Sequence, residues 1–166
     1  MADSVLIVYA TRYGSTKEAA EAIAAALKEN GLVVDIKPAR EAGTVTGYDA
    51  IVLGAPLFMF HWHKDALRFL SKHSKALAER HVAVFALGPT HDPYDREEWQ
   101  ASRSQLDKEL MKFPWLKPVA IEIFGGKYDP AKLSFPLNLF AGEVPASDIR
   151  HLTAVRTWAG SLAGKL

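Results

Sequence analysis

Val5-Leu-Ile-Val-Tyr-Ala10 runs directly into Thr11-Arg-Tyr-Gly-Ser-Thr16 and then into Lys17-Glu-Ala-Ala-Glu-Ala-Ile-Ala-Ala-Ala-Leu27. The first run is apolar throughout, the mark of a parallel strand covered on both faces. The third is rich in alanine, the best helix former, and sets Ala20, Ile23, Ala24 and Leu27 along one side. Ser15 and Glu18 have the spacing of a capping box, which predicts that the helix begins at the end of the loop. Strand, polar loop and helix thus gather backbone N–H groups, hydroxyls and the positive end of a helix dipole at one point. That is an anion site, and phosphate is the usual anion.

The loop has neither Gly-x-x-x-x-Gly-Lys nor Gly-x-Gly-x-x-Gly, so it is neither a Walker A loop nor a dinucleotide fingerprint. No basic side chain besides Arg12 stands in it to neutralise a triphosphate. Hydroxyls and amides alone suit a single phosphate monoester. An ordinary strand–helix turn accounts for the same residues without a ligand.

Working outward, Asn30-Gly31 is a helix stop. Leu32-Val-Val-Asp-Ile36 is a second strand, with Asp35 near an edge. Asp49-Ala-Ile-Val-Leu-Gly-Ala55 is a third, stopped by Pro56, and Leu57-Phe-Met-Phe-His-Trp-His63 is an aromatic loop. A helix from about Lys64 to Lys75 turns Leu67, Phe69 and Leu70 inward. Its other side carries Lys64, Arg68, Lys72 and Lys75, read as a solvated face. Val82-Ala-Val-Phe-Ala-Leu87 is a fourth strand, and Gly88-Pro-Thr-His-Asp-Pro-Tyr94 a second ligand-sized loop. Asp95 with Glu98 gives another capping signal, for a helix that carries Trp99, Leu106, Leu110 and Phe113 and runs to Pro114. Val119-Ala-Ile-Glu-Ile-Phe124 is a fifth strand. Gly125 to Ala146 is rich in proline and glycine and reads as irregular. Ile149, Leu152, Val155, Ala159 and Leu162 mark a final helix.

Strands alternating with helices imply a parallel sheet with helices on both faces. Right-handed crossovers bring the ends of strands one, three and four together on the carboxyl edge. Ligands bind there, where the strand order reverses. The loops after those three strands converge on that edge, which strengthens the phosphate reading.

The 166 residues fit one domain, 1–166, with a sizeable core. A composition of 49% hydrophobic and 23% charged residues is that of a soluble globular protein. A net charge of +1 gives no push toward nucleic acid. The absence of cysteine removes disulfides, thiol catalysis and thiolate metal sites. No apolar run is long enough to span a bilayer and no basic leader precedes the first strand, so a cytoplasmic protein is expected.

With these elements in place the chain resembles the flavodoxin-like superfamily. The resemblance is carried by Tyr9-Ala-Thr-Arg-Tyr-Gly-Ser-Thr16, Asp49-Ala-Ile-Val-Leu-Gly-Ala-Pro56 and the loop from Leu87. Gly54-Ala-Pro-Leu-Phe-Met-Phe-His-Trp-His63 and Phe124-Gly-Gly-Lys-Tyr-Asp-Pro-Ala-Lys-Leu-Ser-Phe135 are most similar to the branch that includes menaquinone-dependent protoporphyrinogen oxidase. The resemblance implies an α/β three-layer sandwich whose five-stranded parallel sheet has the order 2-1-3-4-5. It also implies FMN as the cofactor. Thr11, Arg12, Tyr13, Gly14, Ser15 and Thr16 would then cradle its phosphate. Pro56, Leu57, Phe58, Met59, Phe60 and His61 would flank the isoalloxazine ring. Gly88, Pro89, Thr90 and His91 would cover its other side or its pyrimidine edge. A flat ring needs apolar and aromatic walls, which these loops supply.

An FMN-dependent oxidoreductase is the expected function, with a nicotinamide-linked reductase, a porphyrinogen or a quinone as donor or acceptor. An FMN electron shuttle without its own substrate is the alternative. Leu137-Asn-Leu-Phe-Ala-Gly-Glu-Val-Pro145 has no basic amphipathic character, which speaks against attachment to a membrane. A phosphoacceptor domain would need an aspartate at the end of strand three, where Leu53-Gly54-Ala55-Pro56 stands. Phe58, Phe60 and Trp62 are candidate ring walls. His61, His63, His91 and Asp92 sit on different loops without ligand spacing, so no metal site is expected. His61 or His91 is instead a candidate for tuning the flavin.

Overall fold

The computed structural model describes residues 3–12, 14–58, 61–89, 95–128, 147–148 and 151–166. In chain order its elements begin with β1 (Ser4–Tyr9), α1 (Ser15–Glu29), β2 (Val33–Pro38) and a 3-10 turn (Ala39–Glu41). Then come β3 (Ala50–Phe58), β4 (His61–Trp62), α2 (Lys64–Lys72), α3 (Ser74–Ala78) and β5 (His81–Leu87). The remainder is α4 (Arg96–Leu110), β6 (Ala120–Phe124), β7 (Lys127–Tyr128), β8 (Ser147–Asp148) and α5 (Leu152–Leu162).

The main sheet has the order β2-β1-β3-β5-β6, with β4 paired to the end of β3. Every pairing along that path is parallel. Counting the parallel strands alone gives the expected order 2-1-3-4-5. Alternate side chains of the central strands enter two cores. Val5, Ile7, Val52 and Phe85 pack under α1 and α5 with Ile23, Leu27, Val155 and Leu162. Leu6, Val8, Leu53 and Val84 face the other way, against Phe69, Leu70, Leu77, Leu106 and Leu110 of α2, α3 and α4. Burial on both faces is why the strands read as unbroken apolar runs.

Local chemistry sets the element ends. Gly31, at φ +86°, closes α1 with Gly31 N donating to Lys28 O at 2.9 Å and Leu32 N to Leu27 O at 3.2 Å. Asp95 caps α4, its Oδ1 accepting from Glu97 N at 2.9 Å and Glu98 N at 3.3 Å. The other end of α4 departs from expectation. The helix stops at Leu110, short of Pro114, whose ring has no N–H for the Leu110 carbonyl and clashes with it in a continued helix. Phe113 is still buried against the core.

Three further expectations are corrected. The Ser15–Glu18 spacing does not place Ser15 at the cap: Gly14 occupies that position at φ +93°, and Ser15 is the first helical residue. Pro56 does not stop β3, which continues in register to Phe58. Gly54 O accepts from Ala10 N on the β1 side, so Pro56, two residues on, faces the same side beyond the last residue of β1. Its O accepts from His63 N at 3.1 Å on that side, and β1 has no residue left there for the missing N–H to serve. The helix expected over 64–75 breaks at His73, whose φ of −108° ends α2 and begins α3. The turn lets Leu77 into the core.

After β6 the chain passes Gly125 and Gly126 and enters β7, which pairs antiparallel with β8. The segment read as irregular thus opens with a strand. Residues 129–146, and Ile149 at the expected start of the last helix, lie outside the described residues.

Candidate functional site

The carboxyl ends of β1 and β3 lie side by side, with Tyr9 opposite Gly54. Gly54 is required at this point. A Cβ there would lie 1.9 Å from Cζ of Phe85, which fills the same space from β5. Above this edge the polar loop turns back on itself. Thr11 Oγ1 accepts from Gly14 N at 2.9 Å, and the left-handed Gly14 starts α1. Thr16 is in the first turn of that helix with no exposed surface. Its Oγ1 is buried without a hydrogen-bond partner among the described residues. A buried hydroxyl left unpaired costs about 1–3 kcal/mol, which an acceptor from outside the chain relieves. Helix dipole and first-turn N–H groups point to the same place, so the donor set suits a phosphate monoester.

Beside this loop, β3 and β4 form a short antiparallel pair with Leu57 opposite Trp62 and Phe58 opposite His61. A cleft of about 240 Å³ opens between the two loops, lined by Arg12, Pro56, Phe58, His61, Trp62, His63 and Lys64. The Arg12 guanidinium lies 4.2 Å from the centroid of the Phe58 ring, a cation–π contact across the cleft. Trp62, read as a ring wall, borders the cleft and is also anchored in the core: it is buried and its Nε1 donates to Ala55 O at 2.9 Å. Leu57, its pair, packs against the same core cluster.

Of the sequence candidates, Arg12, Pro56, Phe58 and His61 come together at the cleft, and Thr11, Gly14, Ser15 and Thr16 at the loop next to it. Gly88 and Pro89 follow β5 beside β3, where a Cβ on Gly88 would lie 3.2 Å from Leu57 Cδ1, and are tied to the chain after β6. Gly88 N donates to Phe124 O at 3.1 Å, and Pro89 O accepts from Gly126 N at 2.6 Å. Tyr13, Met59, Phe60, Thr90 and His91 lie outside the described residues, as does Asp92.

Two side chains escaped the sequence reading. His63 caps α2, its Nδ1 accepting from Asp65 N at 3.1 Å. Burial pushes this imidazole below its ordinary value of 6.5; Asp65 opposes the shift, and Arg12, Lys64 and Arg40 reinforce it. Histidine is a rare cap, so no sequence signal marks it. Glu109 of α4 is buried and stands with Oε1 3.1 Å from Lys112 Nζ and 3.6 Å from His61 Nδ1. Its place between Leu106 and Leu110 on the buried stripe was the available signal. Among the described residues no three His, Asp or Glu side chains gather as a metal site. None of the described helices is long and apolar enough to cross a membrane.

Residues 6–137 match the family model described as a flavodoxin domain. Protoporphyrinogen IX dehydrogenase (quinone) of Escherichia coli K12 is 26% identical over 172 aligned residues, covering 89% of this chain and 95% of that protein. Oxidised flavodoxin 1 from Bacillus cereus superposes with a TM-score of 0.61 at 15% identity, covering 98% of this chain and 99% of the other. Oxidised flavodoxin 2 from the same organism gives 0.60 at 20% identity, with 98% and 99% covered. These two likenesses carry the fold. The family match covers most of the chain, which therefore belongs to the flavodoxin-domain family and has FMN as its cofactor.

Proposed function

We propose that the protein is an FMN-dependent oxidoreductase of the cytoplasm that takes electrons from a porphyrinogen-like donor and passes them to a quinone-class acceptor. The orphaned Oγ1 of Thr16 at the start of α1 is the observation that carries the cofactor assignment. In this reading Thr11, Arg12, Tyr13, Gly14, Ser15 and Thr16 hold the phosphate. Pro56 to His61 flank the ring in the cleft, and Gly88 to His91 close its far side. Bound FMN supplies the electron-accepting and electron-donating ring; the chain supplies its orientation and surroundings. Arg12 adds positive charge beside the phosphate loop, and Phe58 adds an aromatic wall. The donor and acceptor classes are taken from the E. coli relative, which aligns over nearly its whole length.

One observation favours a second reading. Among the described residues the cleft measures about 240 Å³. That is below the roughly 300–1,000 Å³ usual for a small-molecule pocket, so the described residues build no second pocket beside a flat ring. An electron shuttle that meets its partners at the exposed ring edge needs no such pocket.

The first test is a visible absorption spectrum of the purified protein with mass analysis of the released cofactor. A yellow protein releasing FMN is expected; a colourless one that does not quench added FMN overturns the proposal. Bleaching of the bound flavin by protoporphyrinogen, followed by reoxidation with a quinone, then separates the oxidoreductase from the shuttle. The shuttle reacts with neither.

A further inference from the structure

We infer that His63 is a ligand-binding residue: its imidazole is fixed as the neutral Nε2–H tautomer and donates that N–H to an acceptor on the edge of the bound flavin ring. This rests on the proposed function, which puts the ring in the cleft that His63 lines.

At the start of α2, Nδ1 of His63 accepts the backbone N–H of Asp65 at 3.1 Å. A ring nitrogen that accepts carries no proton, so the neutral ring has its proton on Nε2. Serine, threonine, aspartate or asparagine would cap the helix at least as well. What a histidine adds is the far side of its ring. The side chain is 13% exposed and borders the cleft with Arg12, Phe58 and His61. One nitrogen is thus held by the helix, and the other carries the ring's proton on a side chain that lines the cleft.

The surroundings keep the ring uncharged. Arg12 reaches it from the loop after β1, Arg40 from the 3-10 turn, and Lys64 and Asp65 from α2; His61 shares its cleft wall. Burial disfavours the imidazolium, and the three cations add to that against the single carboxylate. Protonation would also oblige Nδ1 to release the Asp65 N–H and turn its own proton toward Asp65 Oδ2, 3.9 Å away. The helix would lose its cap. A neutral, rigidly held donor recognises a ring carbonyl or ring nitrogen without adding charge, which is the recognition a heteroaromatic edge needs.

Two variants separate the donor from the cap. His63→Asn keeps a cap, because asparagine Oδ1 accepts where Nδ1 did, but it has no group that reaches the Nε2 position. His63→Ala removes both. FMN dissociation constants are read by quenching of flavin fluorescence, thermal midpoints from the apoproteins, and the tautomer from 15N spectra of His63. H63N should bind FMN about three- to tenfold more weakly, the effect of one hydrogen bond, while melting like the wild type. H63A should lose the affinity and melt lower. The 15N spectrum should show the Nε2–H form near neutral pH. Wild-type affinity in H63N overturns the inference alone, as does an Nδ1–H tautomer. An H63N protein that melts as low as H63A assigns the histidine a structural role and overturns it too. A wild-type protein that takes up no FMN overturns the proposed function and this inference together.

Discussion

Thr16 and Gly54 show how a single atom is placed for different ends. Thr16→Val keeps the shape of the side chain and removes only an Oγ1 that has no partner among the described residues. The variant should melt at or above the wild-type temperature, while its FMN affinity falls on the order of tenfold or more, as for a hydrogen bond to a charged group. Wild-type affinity in T16V would take Thr16 out of the cradle. Gly54→Ala tests packing instead. A methyl group there meets the fully buried Phe85 ring at 1.9 Å, so a loss of about 1–3 kcal/mol is expected in denaturant unfolding. The sequence could nominate Thr16, because a hydroxyl in a strand–loop–helix junction has a known use. It could not show that Trp62 is buried in the core at the cleft's edge while Phe58 stays partly exposed beside Arg12. That choice is made by pairing across β3 and β4, where Phe58 and His61 share one side and Leu57 and Trp62 the other. The capping role of His63 was illegible although the start of its helix at Lys64 was read, because histidine is a rare cap.

Elements were legible in kind and less so at their ends. The Asp95 cap was readable because an aspartate before a helical run acts through its own neighbours, with no tertiary help. Asp95→Ala should therefore destabilise the protein by about 1 kcal/mol, and Asp95→Asn should restore most of it, measured by urea unfolding. The loop before α1 obeyed a different constraint. Thr11 and Gly14 close it by their own hydrogen bond, and the left-handed glycine takes the cap that spacing had given to Ser15. β3 outran Pro56 because the proline falls where β1 has already ended, something no local rule can foresee. Strand type and helix type follow from periodicity; where each stops depends on its neighbours.

At the scale of the whole molecule the parallel sheet was legible in the alternation of strands and helices, while its order 2-1-3-4-5 came with the resemblance. The same scale governs acid stability. Burial holds His63 and His73 below their ordinary 6.5. The unfolded chain therefore binds those protons first as pH falls, and stability that is complete above 6.5 declines below it through the folded-state values. The melting temperature should be lower at about pH 5.5 than at about pH 7.5, and His73→Gln should shrink the gap. A profile that is flat or rises toward acid contradicts this. A second decline belongs below 3.8, where Asp49, held low by the N–H groups of Asp3 and Ser4, takes up its proton. The short pairing of β7 with β8 reaches further than its size suggests. Lys127 and Asp148, and Tyr128 and Ser147, are partners, so the chain departs and returns at one spot beyond the last parallel strand. The two short strands thus hold the ends of residues 129–146 side by side, and the entropy of closing that stretch grows only slowly with its length.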